Sequence, residues 1–344
     1  MSSFTTDEAQ QKMLPEMLPL LQRRYRLLQT VQFMQPVGRR VLAETVKMTE
    51  REARKETDLL REQGLIVANK TGMICTEDGN STLDILRSVV YEWSGLSQLE
   101  HQLQQYLGIQ QIIIVPGHCE EDETAQNLLG KEAAQHFKKV VNNDAIVAVT
   151  GGGSVASLAQ FLQPSEDIKD CTFIAARGGI GHEMQMQANT LTAKFANKIG
   201  ANYRTLYLPE HLSEQAYEAM LKEPMISEMV DYYDRADIVI HGIGSAEEMA
   251  VRRNSTSEDL QILKEKGAVS EAFGYYFNDK GQIVHQIRTI GIQFEQVEKC
   301  NTILAVAAGE QKVNAILSYF KVAPKQTVLV TDEAAAKAIA QRLL

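Results

Sequence analysis

The stretch Ala145-Ile-Val-Ala-Val-Thr-Gly-Gly-Gly-Ser154 constrains the fold more than any other part of the chain. Five apolar residues in a row, set between Asn142-Asn143-Asp144 and three glycines, predict a buried strand of a parallel sheet. Val155–Phe161 then takes up helical spacing, so the glycines fall where a strand stops and a helix starts. That corner leaves backbone N–H groups at the positive end of a helix dipole, which suits an anion and above all a phosphate. Glycine lets the backbone approach the ligand, and Ser154 adds a hydroxyl donor. An ordinary glycine-rich strand-to-helix turn has the same outline. The loop fits neither the G-x-x-x-x-G-K-[ST] nor the G-x-G-x-x-G pattern, so a nucleoside triphosphate or dinucleotide is not indicated.

Strand-like and helix-like runs alternate beyond Gly108. Strands are predicted at Ile112–Val115, Ala145–Val149, Cys171–Ala176, Tyr203–Leu208, Asp237–Ile240, Thr302–Ala308 and Thr327–Val330, with helices between them and at Glu333–Leu344. Such alternation implies a parallel sheet with right-handed crossovers. Ala268–Phe294 is less regular, with a hairpin turn at Asn278–Gly281. In open parallel sheets ligands bind beyond the carboxyl ends of the strands. Those ends carry Gly151–Ser154, Arg177-Gly-Gly-Ile-Gly181, His241-Gly-Ile-Gly-Ser245 with Arg252 and Arg253 downstream, and Gly309-Glu-Gln-Lys312. Several glycine loops with cations on one rim point to a phosphate more specifically than one loop does, although any single arginine there also fits a surface ion pair.

The first seventy residues read differently. Leu18–Met34 is a helix with a basic face, Pro36-Val37-Gly38 breaks it, and Arg39–Val46 is a second, short helix. Thr49 and Glu52 form a capping box that opens a third helix to Gln63, closed by Gly64. Leu65–Ala68 and Met73–Thr76 flank the turn Asn69–Gly72 as a β-hairpin. Three helices and a hairpin make a winged helix-turn-helix, whose third helix enters the DNA major groove. Arg51, Arg54 and Lys55 lie on its first turns, Thr49 caps it, Arg39 and Arg40 open the second helix, and Lys70 tips the hairpin. Arginine can donate two bonds to guanine or clamp a phosphate. Leu18–Gly72 holds eleven Lys or Arg against six Asp or Glu, in a chain whose net charge is −9. A basic segment on an acidic body suits nucleic acid, and it lacks the interleaved aromatics of a single-strand platform. A helical bundle with solvated charges is the plainer alternative. After it, Gly79–Tyr91 and Leu96–Leu107 are two helices, with Leu83, Leu86, Val89 and Val90 as a stripe suited to core or to an oligomer contact.

The division expected is therefore a winged helix-turn-helix domain over 1–80, with a leading helix, and an α/β effector-binding and oligomerisation domain over 81–344. No apolar run approaches the roughly 20 residues of a membrane span. The start has no secretory pattern, and Cys75, Cys119, Cys171 and Cys300 lie far apart, as reduced cytoplasmic thiols do. The adjacent His118-Cys119 is poor metal-ligand spacing, so no metal site is expected.

A winged helix-turn-helix followed by a glycine-rich α/β body with T-G-G-x-[ST], R-G-G and G-x-G-x loops resembles the SorC/DeoR-type sugar-phosphate-responsive transcriptional regulators. The resemblance covers nearly the whole chain, and Gln187–Ala196, His241–Gly244 and Ala307–Lys312 carry it most closely. It implies a Rossmann-like body similar to phosphosugar isomerases and deaminases that has lost catalysis. It further implies a repressor of glycolytic genes, at least dimeric (a dimer or a tetramer), that leaves double-stranded operator DNA when fructose-1,6-bisphosphate binds. By motif, Gly152, Gly153 and Ser154 would hold a phosphate with Lys312; Arg177 and Gln187 would face the ligand, Glu271 the sugar hydroxyls, and Arg252 or its neighbour Arg253 a phosphate. The family often has threonine where Gly153 stands here. An active phosphosugar isomerase or deaminase is the competing reading, with Glu271 and His241 as its base candidates; no second motif joins them. Neither a catalytic residue nor a cofactor is expected under the first reading.

Overall fold

The computed structural model describes residues 12–179, 184–208, 212–253 and 255–343. They fall into two units, one running to Leu99 and including Glu121–Thr124, the other taking the rest from Glu100.

In the first unit the helix Met17–Met34 is followed by Arg39–Thr45 and Glu50–Glu62, then by the short strands β1 (Ile66–Ala68) and β2 (Met73–Cys75). The strands pair antiparallel, and Val37 adds a bridge to Met73. Leu27, Leu28 and Val31 of the first helix share a core with Leu42, Leu60, Ile66 of β1 and Met73 of β2, so every element contributes and burying them fixes three helices on a wing. Thr49 and Glu52 make the expected capping box. The wing turn is set by Asn69, whose side-chain oxygen accepts from the backbone of Thr71 and Gly72 at 2.9 and 3.0 Å. Gly72 has φ +144°, and a Cβ there would lie 2.9 Å from the Val37 backbone, so the approach of the wing to that bridge needs glycine. The helix Glu77–Trp93 follows, and Leu83 is buried in this same core. Its place in the predicted stripe is thus inside the unit, while Ile85 is 72 % exposed on the same helix.

The second unit is built on seven parallel strands: β3 (Gln111–Val115), β4 (Ile146–Val149), β5 (Thr172–Ala175), β6 (Asn202–Arg204), β7 (Ile238–His241), β12 (Thr302–Val306) and β13 (Thr327–Asp332). Their order across the sheet is β3-β13-β12-β7-β4-β5-β6. β7, β12 and β13 are buried throughout, which explains their near-continuous Val, Ile, Leu and Ala content. From β4 the chain runs outward through β5 and β6, then returns to the other side of β4 as β7. Crossovers leave β4 and β7 in opposite directions, so a crevice opens between their carboxyl ends.

Three expectations change. The helix predicted over Val155–Phe161 is one α-helical turn, Gly153–Ala156, and one 3-10 turn, Ser157–Gln160. So short an element has little dipole, and the corner must rely on individual N–H groups. β6 ends at Arg204 rather than Leu208, because it lies at the sheet edge where only β5 supports it. The less regular stretch is a four-stranded antiparallel sheet, β8 (Gly244–Ser245), β9 (Ala268–Ala272), β10 (Tyr275–Asn278) and β11 (Ile283–Gln286), in the order β11-β10-β9-β8. Its strands are short and two carry bulges, which breaks the period-2 pattern a sequence would show. The predicted turn at Asn278–Gly281 does join β10 to β11.

Candidate functional site: a polar crevice and a basic helix

A cavity of about 670 Å³ lies at the β4/β7 reversal. Each of Gly152, Gly153, Ser154, Arg177, Gln187, Arg252, Glu271 and Lys312 lines it. Residues up to 160 positions apart are brought together because most lie in the connections that follow strands of the one parallel sheet, while Glu271 lies on a strand of the smaller sheet. Of the glycine loop that begins at Arg177, Ile180 and Gly181 lie outside the described residues.

At the β4 corner Gly151 is packed so closely on Met186 that a Cβ would stand 2.6 Å from its carbonyl oxygen. The Gly152 N–H is spent on that carbonyl at 2.9 Å. The Ser154 hydroxyl makes no hydrogen bond among the described residues and faces the cavity as a spare donor. Lys312 reaches the same cavity from the loop after β12. Burial pushes its ammonium below the ordinary lysine range, while the Glu248 and Glu120 carboxylates partly offset that cost. That loop is fastened by Asp332, whose carboxylate accepts from the N–H groups of Gly309 at 3.0 Å, Ala335 at 3.1 Å and Cys119 at 2.7 Å. Arg252 stands at the exposed rim, paired with Glu248 at 2.9 Å.

The opposite wall is a buried ion cluster. Glu271, 4 % exposed, accepts from Arg253 at 2.8 Å, from the Gly274 N–H at 2.6 Å and from both terminal nitrogens of Arg177 at 3.4 Å. Burial alone would raise the Glu271 pKa, but the two guanidinium groups outweigh it and hold the carboxyl below its ordinary value. Two guanidinium groups thus converge on one carboxylate at the cavity wall, where the ion cluster is held out of water. The pair Arg252-Arg253 is thereby split: Arg252 lines the cavity, and Arg253, with a fully buried side chain, braces Glu271 from behind and meets the Tyr276 hydroxyl at 2.9 Å.

His241 is fully buried, and burial pushes its pKa down to about 4, so the ring is neutral at pH 7. A locked Glu271 and a desolvated His241 are poorly suited to proton transfer. Glu120, Glu248 and Phe273 line the cavity and were not singled out by the sequence, which left Arg252 and Arg253 undivided. The i,i+4 spacing of Glu248 and Arg252 was the available signal for one of them.

In the first unit Arg51, Arg54 and Lys55 share the exposed face of the helix Glu50–Glu62, at i, i+3 and i+4. Arg51, Lys55 and the wing-tip Lys70 are exposed and carry no ion pair among the described residues. Arg54 is 3.9 Å from Asp58, which also holds Arg39 at 3.3 Å, and Arg40 pairs with Glu44 at 3.1 Å. The Thr49 hydroxyl is engaged in the cap, donating to Glu52 at 2.7 Å.

Both units have known counterparts. Residues 91–341 match a sugar-binding domain family, and residues 20–90 match the CggR N-terminal DNA-binding domain. The chain is 39% identical over 330 residues to the central glycolytic genes regulator of Bacillus subtilis, covering 96% of this chain and 97% of that one. The chain belongs to the SorC family of sugar-binding transcriptional regulators. The same name is carried by a protein of Priestia megaterium, 40% identical over 331 residues and covering 96% of both chains. Among solved structures, a SorC-family regulator from Enterococcus faecalis superposes with a TM-score of 0.67 at 39% identity, over 71% of this chain and 99% of that one. The full-length sorbitol operon regulator SorC of Klebsiella pneumoniae shares the fold over 89% of this chain and 94% of its own, with a TM-score of 0.66 at 18% identity. As a SorC-family member the chain is a DNA-binding, sugar-responsive transcriptional regulator and not an enzyme. Among the described residues no helix is long and apolar enough to cross a membrane.

Proposed function

We propose that the chain is a cytoplasmic repressor of glycolytic genes that leaves its operator when fructose-1,6-bisphosphate fills the crevice between β4 and β7. The observation that carries this reading is the two-walled polarity of the crevice. Ser154 and Lys312 offer a hydroxyl and an ammonium on one wall; the other carries the Arg177 guanidinium, gathered with Arg253 around Glu271. Two anion-friendly walls suit a ligand phosphorylated at both ends, and Gln187 and Glu271 remain for hydroxyls between them. Arg252 needs only to exchange the Glu248 carboxylate for a phosphate. The sugar phosphate acts as an effector, and the reading calls for no cofactor or metal.

In the same reading Arg51, Arg54 and Lys55 enter the major groove and Lys70 touches backbone, with Arg39, Arg40 and Thr49 alongside. One helix-turn-helix reads a half-site, so the operator-bound form is a dimer or tetramer. The effector must favour the conformation with low DNA affinity, since equal affinity for both states would shift nothing. A mobility-shift titration on DNA upstream of glycolytic genes tests the whole reading. Fructose-1,6-bisphosphate is expected to release the DNA at lower concentration than other sugar phosphates; retention of the complex at all concentrations would refute it.

A further inference from the structure

The tip of the β9–β10 hairpin is built against its backbone preference. Ala272 pairs with Tyr275, leaving Phe273 and Gly274 as a two-residue turn, and both have positive φ, 57° and 88°. Turns of that kind favour Asn-Gly, because an ordinary side chain is strained in the left-handed region. Strain of this kind persists where the surroundings over-determine it, and it concentrates at ligand sites.

Phe273 stands between the crevice and the buried aromatic side chains behind it. Its ring lies 4.5 Å from that of His241, centroid to centroid, at 40°. His241 in turn meets the edge of Tyr319 at 5.2 Å, so a fully buried wall stands behind the ring. Phe273 is itself only 6 % exposed, and it lines the cavity. The turn is fastened on its polar side too: the Gly274 N–H donates to Glu271 at 2.6 Å, and a Cβ on Gly274 would come within 2.9 Å of the Arg177 guanidinium. The aromatic side chain and the ion cluster are thus held in one register by a single strained turn.

Lys312, Ser154 and Arg177 respond to charge and cannot tell a phosphorylated sugar from phosphate alone. An aromatic face, negative at its centre, attracts the C–H edges of a sugar ring and repels nothing apolar. We propose that Phe273 is a specificity-determining residue whose ring is the platform for the apolar face of the sugar, so that the crevice distinguishes a phosphorylated sugar from inorganic phosphate. This inference rests on the sugar-phosphate reading of the crevice.

The test is calorimetric titration of the full chain and of Phe273→Leu with two probes, fructose-1,6-bisphosphate and inorganic phosphate. Leucine keeps an apolar side chain against His241 but removes the face. The Kd for the bisphosphate is expected to rise about three- to tenfold, on the scale of an aromatic contact, with phosphate binding unchanged. An equal rise for both probes, or no change for either, overturns the platform. If Phe273→Leu does not fold, the wild-type chain decides: it should prefer fructose-1,6-bisphosphate over 1,6-hexanediol bisphosphate by threefold or more, and equal affinity overturns the platform. A wild-type chain that binds none of these probes refutes the sugar-phosphate reading itself, whereas binding without discrimination refutes only the role of Phe273.

Discussion

Replacing Glu271 by alanine would remove the carboxylate that Arg177 and Arg253 share. Arg253 has a fully buried side chain and Arg177 is 6 % exposed, so both guanidinium groups would stay desolvated with their shared carboxylate gone. The Gly274 N–H would also lose its 2.6 Å acceptor. Removing one partner of a buried pair costs about 3–5 kcal/mol, because the remaining charge is uncompensated. A domain of this size loses roughly 2–4 °C of Tm per kcal/mol, so Glu271→Ala should melt about 6–20 °C lower. Thermal unfolding of the full chain at neutral pH measures this directly, and added inorganic phosphate should restore more stability to the variant than to the wild type. The pH dependence has a fixed sign. Glu271 has its folded pKa held below the ordinary 4.5, so its contribution is complete above that value and is lost as the pH falls beneath it. The gap between wild type and variant should therefore close on acidification below 4.5. A Tm change under about 2 °C at neutral pH would refute the claim that this carboxylate compensates two buried cations.

Lys312→Ala should weaken fructose-1,6-bisphosphate binding by about one to two decades, the value of one charge-assisted bond of roughly 1.5–3 kcal/mol, and leave operator affinity intact; normal binding in calorimetry would remove Lys312 from the anion site. Fructose-6-phosphate, with one anionic end, should bind at least about tenfold more weakly than the bisphosphate by the same arithmetic, and equal affinities would sink the two-walled site. Arg54→Ala should cost about 1–3 kcal/mol of discrimination between operator and random DNA, whereas Lys70→Ala should weaken both alike and lower the salt slope by about one; equal losses on both DNAs for both variants would take the third helix out of the groove.

Local rules settled what could be read along the chain. The capping box at Thr49 and Glu52, the wing turn at Asn69–Gly72 and the apolar runs ending in glycine each declare an element within about ten residues, because hydrogen-bond partners and burial on one strand are short-range matters. Those runs, with the loops that follow them, were enough to gather Gly152, Gly153, Ser154, Arg177, Arg252 and Lys312, since a parallel sheet must bring its carboxyl ends to one rim, whereas Gln187 and Glu271 were legible only through the family resemblance. The small antiparallel sheet was hidden, because its strands are two to five residues long and two of its pairings carry bulges. Consecutive arginines 252 and 253 were indistinguishable in sequence; only the packing of Arg253 against Glu271 and Tyr276 assigns one to the core and the other to the rim. The same holds for Phe273. Its left-handed backbone follows from the pairing of Ala272 with Tyr275 within the small sheet, and its place at the crevice from contact with His241 thirty-two positions away, which is set only once the two sheets have met.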